Sequence, residues 1–183
     1  MTRIETPRLI LRPFRPDDLN GLHAILSDPT TMRFWPTPFT REQSARWLER
    51  NIERFAEERC GRMALTLRET EGLIGDCGIM RTEIDGMMEN DLGYIVHAAH
   101  WGHGYATEAA TALSAYGFKA LGLTRLCANM PADHLASRRV AEKIGMTLER
   151  EFENPRNRGI RTCLYAVEHA PSWSSPANRR HRL

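Results

Sequence analysis

His100-Trp101-Gly102-His103-Gly104-Tyr105-Ala106-Thr107-Glu108 is the stretch on which the reading of the fold turns. The residues before it, Asp91 to His97, read as a strand. Those after it, from about Ala106 to Ala120, read as a helix with Ala109, Leu113, Tyr116 and Ala120 on one face. A Gly-rich turn leading straight into a helix exposes the unpaired N–H groups of the first turn, and glycine lets the backbone approach an anion. The junction therefore suits a phosphate. It equally suits a plain strand–helix turn with no ligand, and G-x-G alone does not choose between them. A dinucleotide site fits less well, because that fingerprint normally opens the first βαβ unit of a fold. Here about a hundred residues come first, and Asn129 stands where the next strand would need an acid.

Working outward, Arg8 to Arg12 reads as a short strand closed by Pro13. Pro16-Asp17-Asp18 opens a helix with Leu19, Leu22, Ile25 and Leu26 inward, and Asp28-Pro29 ends it. Thr40 to Gln43 is a capping box for a second helix carrying Ala45, Leu48, Ile52 and Phe55, which Gly61 stops. Met63 to Leu67, Leu73 to Met80 and Asp91 to His97 then read as antiparallel strands around turns at Glu69 to Gly72 and Asp85-Gly86. Beyond the loop helix, Thr124 to Met130 is a strand, and Ser137 to Ile144 is a short helix with Ser137 as its N-cap. Met146 to Phe152 and Arg161 to Glu168 are closing strands. The order β-α-α-β-β-β-α-β-α-β-β predicts an α+β fold, a mixed and mostly antiparallel central sheet flanked by helices.

The 183 residues fit one domain, taken as 1–171, with a polar basic tail at 172–183. Lys plus Arg less Asp plus Glu is 25 − 23 = +2, which gives no footprint for nucleic acid. Cys60, Cys77, Cys127 and Cys163 are scattered without metal-ligand spacing and read as reduced, buried thiols, so no metal is expected. No apolar run approaches the ~20 residues of a bilayer span, and the N-terminus lacks a signal core. The chain is expected in the cytoplasm, away from membranes.

Several segments together give the chain a family likeness. They are Thr6-Pro7-Arg8-Leu9-Ile10-Leu11-Arg12, Met32-Arg33-Phe34-Trp35-Pro36, Leu92-Gly93-Tyr94, the block from Trp101 to Ala109, and Ser137 to Met146. In this order they resemble the GCN5-related N-acetyltransferases (GNAT), in their RimJ/RimL-like branch, over roughly residues 3 to 170. The resemblance implies acetyl-CoA as co-substrate and a primary amine as acceptor, either a protein N-terminus or a small molecule. Backbone N–H groups of Gly102, His103, Gly104, Tyr105, Ala106 and Thr107 would cradle the pyrophosphate. The preceding strand would pair with pantetheine through Ile95, Val96 and His97, although the His97 side chain itself reads as a partly buried strand histidine. Trp101 stands where the family's motif begins with Gln or Arg. His134 stands where relatives often carry an Asn that contacts the CoA arm.

Acetyl transfer needs a neutral amine, a donor for the oxyanion and a proton for the leaving thiolate. The resemblance places Asp91 as base, although it reads equally as a strand-start acid facing solvent; Glu83 and Glu89, in the preceding turn, are weaker candidates. It makes Ser137 the acid, with Tyr165 as the alternative acid or a core aromatic. Phe34 and Trp35, with Phe39 and Trp47, form an aromatic cluster that reads either as core or as a wall of the acceptor pocket. Arg156, Arg158 and Arg161 read either as a pull on an acidic acceptor or as a solvated turn. A catalytically degenerate acyl-CoA-binding module is the alternative function, and a homodimer is left open.

Overall fold

The computed structural model describes residues 2–58 and 60–169, so the predicted tail and the domain's end at 171 lie outside the described residues. The elements are β1 (Ile4–Glu5), β2 (Leu9–Arg12), α1 (Leu19–Leu26), α2 (Arg41–Glu58), β3 (Gly61–Leu67), β4 (Leu73–Ile84), β5 (Met87–Val96), α3 (Tyr105–Lys119), β6 (Arg125–Pro131), α4 (Leu135–Lys143), β7 (Thr147–Asn154) and β8 (Ile160–Glu168). They build one eight-stranded sheet in the order β1-β2-β3-β4-β5-β6-β8-β7. Every pairing is antiparallel except β5 with β6. This is the predicted α+β sheet, with the two-residue β1 added against β2.

Helices cover both faces, because strand residues alternate between them. Leu22, Ile25 and Leu26 of α1 and Leu48 of α2 bury one face with Ala64 and Ile95. Ala109, Ala110 and Leu113 of α3 and Ala141 of α4 bury the other with Leu9, Leu11, Met63, Leu65, Cys77 and Leu92. The capping box of α2 closes as expected: the Thr40 amide donates to Gln43 Oε1 at 2.7 Å, and the Gln43 amide donates to Thr40 Oγ1 at 3.3 Å.

Two departures bear on the site. The β4–β5 hairpin runs further than expected, turning at Asp85 (φ 50°) and Gly86 (φ 78°). Its outer part is rich in polar and exposed residues, so no hydrophobic alternation marks it. Helix α4 begins two residues before Ser137, with His134 in the N-cap position. Ser137 is therefore a first-turn residue and not the cap.

Candidate active site

Strands β5 and β6 touch at one bridge, Asp91 opposite Cys127, and then diverge. The wedge opens into a cleft of ≈ 1200 Å³ that runs from the outer end of the β4–β5 hairpin to the start of α3. The amide of His97 donates to the Ile74 carbonyl on β4 at 2.8 Å, while the Val96 carbonyl accepts from the Trp101 indole at 2.7 Å. Strand alternation then turns the backbone groups of Leu92, Tyr94 and Val96 into the wedge, and those of Gly93, Ile95 and His97 towards β4. Of the three residues expected to meet pantetheine, Val96 has its backbone on the open side. Ile95 lines the cleft but points its backbone at β4, and His97 does not line it.

At the far end of the wedge, Gly102 and Gly104 adopt φ of 81° and 80°, a conformation that costs an L side chain about 1–2 kcal/mol. Gly104 is the N-cap of α3 and offers no side-chain cap, so among the described residues no side chain caps the first-turn N–H groups of the helix. Gly102, Gly104, Tyr105, Ala106 and Thr107 line the cleft. His103 does not; its ring stacks on Tyr105 with centroids 5.5 Å apart. The cradle fits a pyrophosphate by shape and by the sign of the helix dipole. Trp101, in the motif's Gln/Arg position, fastens the loop to β5 through its indole.

The middle of the cleft carries the titratable groups. Asp91 is 9% exposed, and Asn129 Nδ2 donates to its Oδ1 at 3.0 Å. Burial raises its pKa above the usual carboxylate range, against the pull of Arg62 and the Asn129 hydrogen bond. Across the wedge, the Tyr94 hydroxyl meets Ser137 Oγ at 2.9 Å and donates to the Ser137 carbonyl at 3.1 Å. Burial pushes the Tyr94 phenol up to about 12. Tyr165 is not brought to the cleft. It is 2% exposed, accepts from Arg138 Nε at 3.1 Å and donates to Glu142 Oε1 at 3.1 Å, which ties β8 to α4. Of the weaker base candidates, Glu89 is held by Arg125 at 3.0 Å, and Glu83 lies at the outer rim.

Beneath Gly93 lies a buried charge cluster that the sequence did not announce. Arg62 is 6% exposed, and its Nη1 lies 3.3 Å from Asp76 Oδ1. Asp76 Oδ2 accepts from the Trp47 indole at 2.9 Å, and the Arg62 amide donates to Asn51 Oδ1 at 3.0 Å. A Cβ on Gly93 would fall 2.5 Å from Arg62 Nη2, so glycine alone leaves the guanidinium its space. Arg62 sits in an ordinary alternating strand pattern, and only its partners across three strands and α2 reveal it.

The segment between α1 and α2 spans the cleft. Phe34 leaves the expected aromatic cluster and stacks on His134, with ring centroids 3.8 Å apart. Its carbonyl accepts from Asn157 Nδ2 at 3.0 Å, and Arg33 lies between the Phe34 and Trp101 rings. Trp35, Phe39 and Trp47 remain together edge to face. Burial, reinforced by Arg33, lowers the His134 pKa to about 4, so this imidazole is neutral at pH 7. Arg161 is paired with Glu151, which favours the turn reading for it, whereas Arg156 lines the cleft with its Nη1 donating to the Glu83 carbonyl at 2.8 Å.

The acetyltransferase (GNAT) domain family matches residues 8–147. The uncharacterized N-acetyltransferase p20 of Bacillus licheniformis is 30% identical over 173 residues, 91% of this chain and 96% of its own length. The crystal structure of a GNAT-family acetyltransferase from Bacillus anthracis superposes with a TM-score of 0.78 at 26% identity, covering 91% of this chain and 98% of the other. RimL, a ribosomal L7/L12 alpha-N-protein acetyltransferase solved in complex with coenzyme A, shares the fold with a TM-score of 0.77 at 17% identity, covering 91% and 98%. The chain belongs to the GNAT acetyltransferase family and is an acyltransferase.

Proposed function

We propose that the chain moves the acetyl group of acetyl-CoA directly onto a primary amine, with both substrates bound at once. The observation that carries this reading is the wedge between β5 and β6, with a phosphate cradle at one end and a buried carboxyl at its apex. In this reading the acetyl-CoA arm lies along Tyr94 and Val96, with its pyrophosphate against Gly102 to Thr107. The acceptor enters from the other side, between the β4–β5 hairpin and the Phe34–Trp35 segment. That side holds Trp35, Trp47 and Arg62, and it suits a protein N-terminal α-amine or a small-molecule amine.

An α-amine has a reference pKa of about 7.7–8.0, so a useful fraction is neutral at pH 7. Asp91, with its pKa raised by burial, takes the proton that the amine releases on attack, through a water where the short side chain does not reach. A wedge-facing backbone N–H of β5 supports the oxyanion. As the tetrahedral intermediate collapses, the C–S bond breaks and the thiolate takes the Ser137 hydroxyl proton; the Tyr94 hydroxyl turns from the Ser137 carbonyl to Ser137 Oγ to replace it, and solvent returns a proton to Tyr94 as products leave. His134, neutral and stacked on Phe34, walls the cleft and contributes no charge to the CoA phosphates. In this reading the protein works in the cytoplasm, where thiols stay reduced, in keeping with its four free cysteines.

A thiol-release assay with acetyl-CoA over peptides, polyamines and aminoglycosides tests the reading. Release of CoA that depends on one acceptor class supports it and names the acceptor. Tight CoA binding without release on any amine would instead leave a degenerate acyl-CoA-binding module.

A further inference from the structure

The geometry points to Arg8, which lies outside the cleft, as the positioning residue that holds the Gly102–Gly104 loop in its phosphate-binding shape. This rests on the reading that the loop receives the pyrophosphate. Arg8 immediately precedes β2, whose Leu9 and Leu11 are fully buried, so its backbone is fixed to the sheet. From there its guanidinium crosses to the loop. Nη1 donates to the His103 carbonyl at 2.9 Å, Nε donates to Glu108 Oε2 at 2.7 Å, and the plane lies 4.8 Å over the Tyr105 ring. Nη2 would stand 3.6 Å from a Cβ on Gly104.

Glu108, in the first turn of α3, is the other half of the clamp. Its Oε1 accepts from the Arg8 amide at 2.9 Å and from Thr6 Oγ1 at 2.6 Å. Burial acts to raise its pKa, but the hydrogen bonds from Thr6 and Arg8 outweigh burial and keep it ionised. The loop needs this support. Two glycines at positive φ give it wide conformational freedom when unrestrained, and α3 has no side-chain cap to order its open N–H groups. The His103 carbonyl is the one loop carbonyl that Arg8 bonds, and pinning it aims the neighbouring amides at the cleft. Arg8 also leaves a cation behind the cradle, although Glu108 offsets its charge. Neither Arg8 nor Glu108 lines the cleft, so the effect on a ligand passes through the loop.

The test compares CoA with pantetheine, which lacks the pyrophosphate, on the full chain. Calorimetry gives Kd for CoA, and NMR titration gives Kd for pantetheine. Arg8→Met is expected to weaken CoA roughly tenfold, the loss typical of a hydrogen bond to a charged group, and to leave pantetheine unchanged. Arg8→Lys, which keeps the charge but cannot bond Glu108 and the His103 carbonyl in one plane, is expected to fall between wild type and Arg8→Met. Equal losses for both ligands, or an unchanged CoA affinity, would overturn the inference. Should wild-type protein bind pantetheine as tightly as CoA, it is the loop's assignment to pyrophosphate that fails, whatever Arg8 does.

Discussion

Burial raises the Asp91 pKa, so the ionised carboxylate works against the fold at neutral pH. The folded value lies above the unfolded one, near about 3.9. The stabilisation from the bound proton is therefore full below the unfolded pKa and is lost as pH rises through the folded pKa. Asp91→Asn keeps an oxygen for Asn129 and removes the charge. It is expected to raise Tm at pH 7 while lowering kcat by about a hundredfold. A lower Tm with full turnover would refute both halves. The same group predicts that kcat/KM falls on the acid side as Asp91 takes up its proton. Ser137→Ala is expected to lose about a hundredfold in kcat with little change in KM for acetyl-CoA, and full turnover would remove Ser137 as the acid. His134 titrates in the opposite sense. Its folded pKa of about 4 lies below the ordinary value near 6.5, so its contribution to stability is complete above that value and drains away as pH falls towards 4. An imidazole NMR titration with a midpoint near 6.5 would contradict the stack on Phe34.

At the scale of elements, the loop between β5 and α3 is the part whose chemistry was most legible. Its glycines, its place between strand and helix and the early start of α3 all follow from local sequence. Gly104→Glu puts a strained residue and a negative charge into the cradle. The variant is expected to stay folded, with a modest loss of Tm, and to lose CoA binding. Retained binding would show that the pyrophosphate lies elsewhere. Other elements were less legible for physical reasons. Strand β1 is two residues long and carries no periodic signal. The outer β4–β5 hairpin stands on polar, exposed residues. The start of α4 departs from the sequence expectation because Ser is a better cap than His by propensity, whereas here Ser137 spends its hydroxyl on Tyr94.

Over the whole molecule, what the sequence hid is what distant segments do together. Arg8 and Glu108 lie a hundred residues apart and meet at 2.7 Å. Phe34 and His134 meet across the cleft, and Arg62 finds Asp76 and Trp47 through the sheet and α2. Tyr165, a plausible acid in one dimension, is turned by the β6–β8–β7 packing onto Arg138 and Glu142. The family's order of segments carried the sheet and the place of the Gly-rich loop, because those depend on local turns and caps. The opposite end of the cleft is assembled from α2, the hairpin and the α1–α2 segment, and has no single motif. The most direct check of the central claim uses acetyl-CoA labelled in the acetyl group with the acceptor found in the thiol-release screen. Mass spectrometry is expected to find the label on the amine in amounts equal to the CoA set free, with none on the protein. Label retained on the protein, or CoA released with no acetylated amine, would contradict direct transfer.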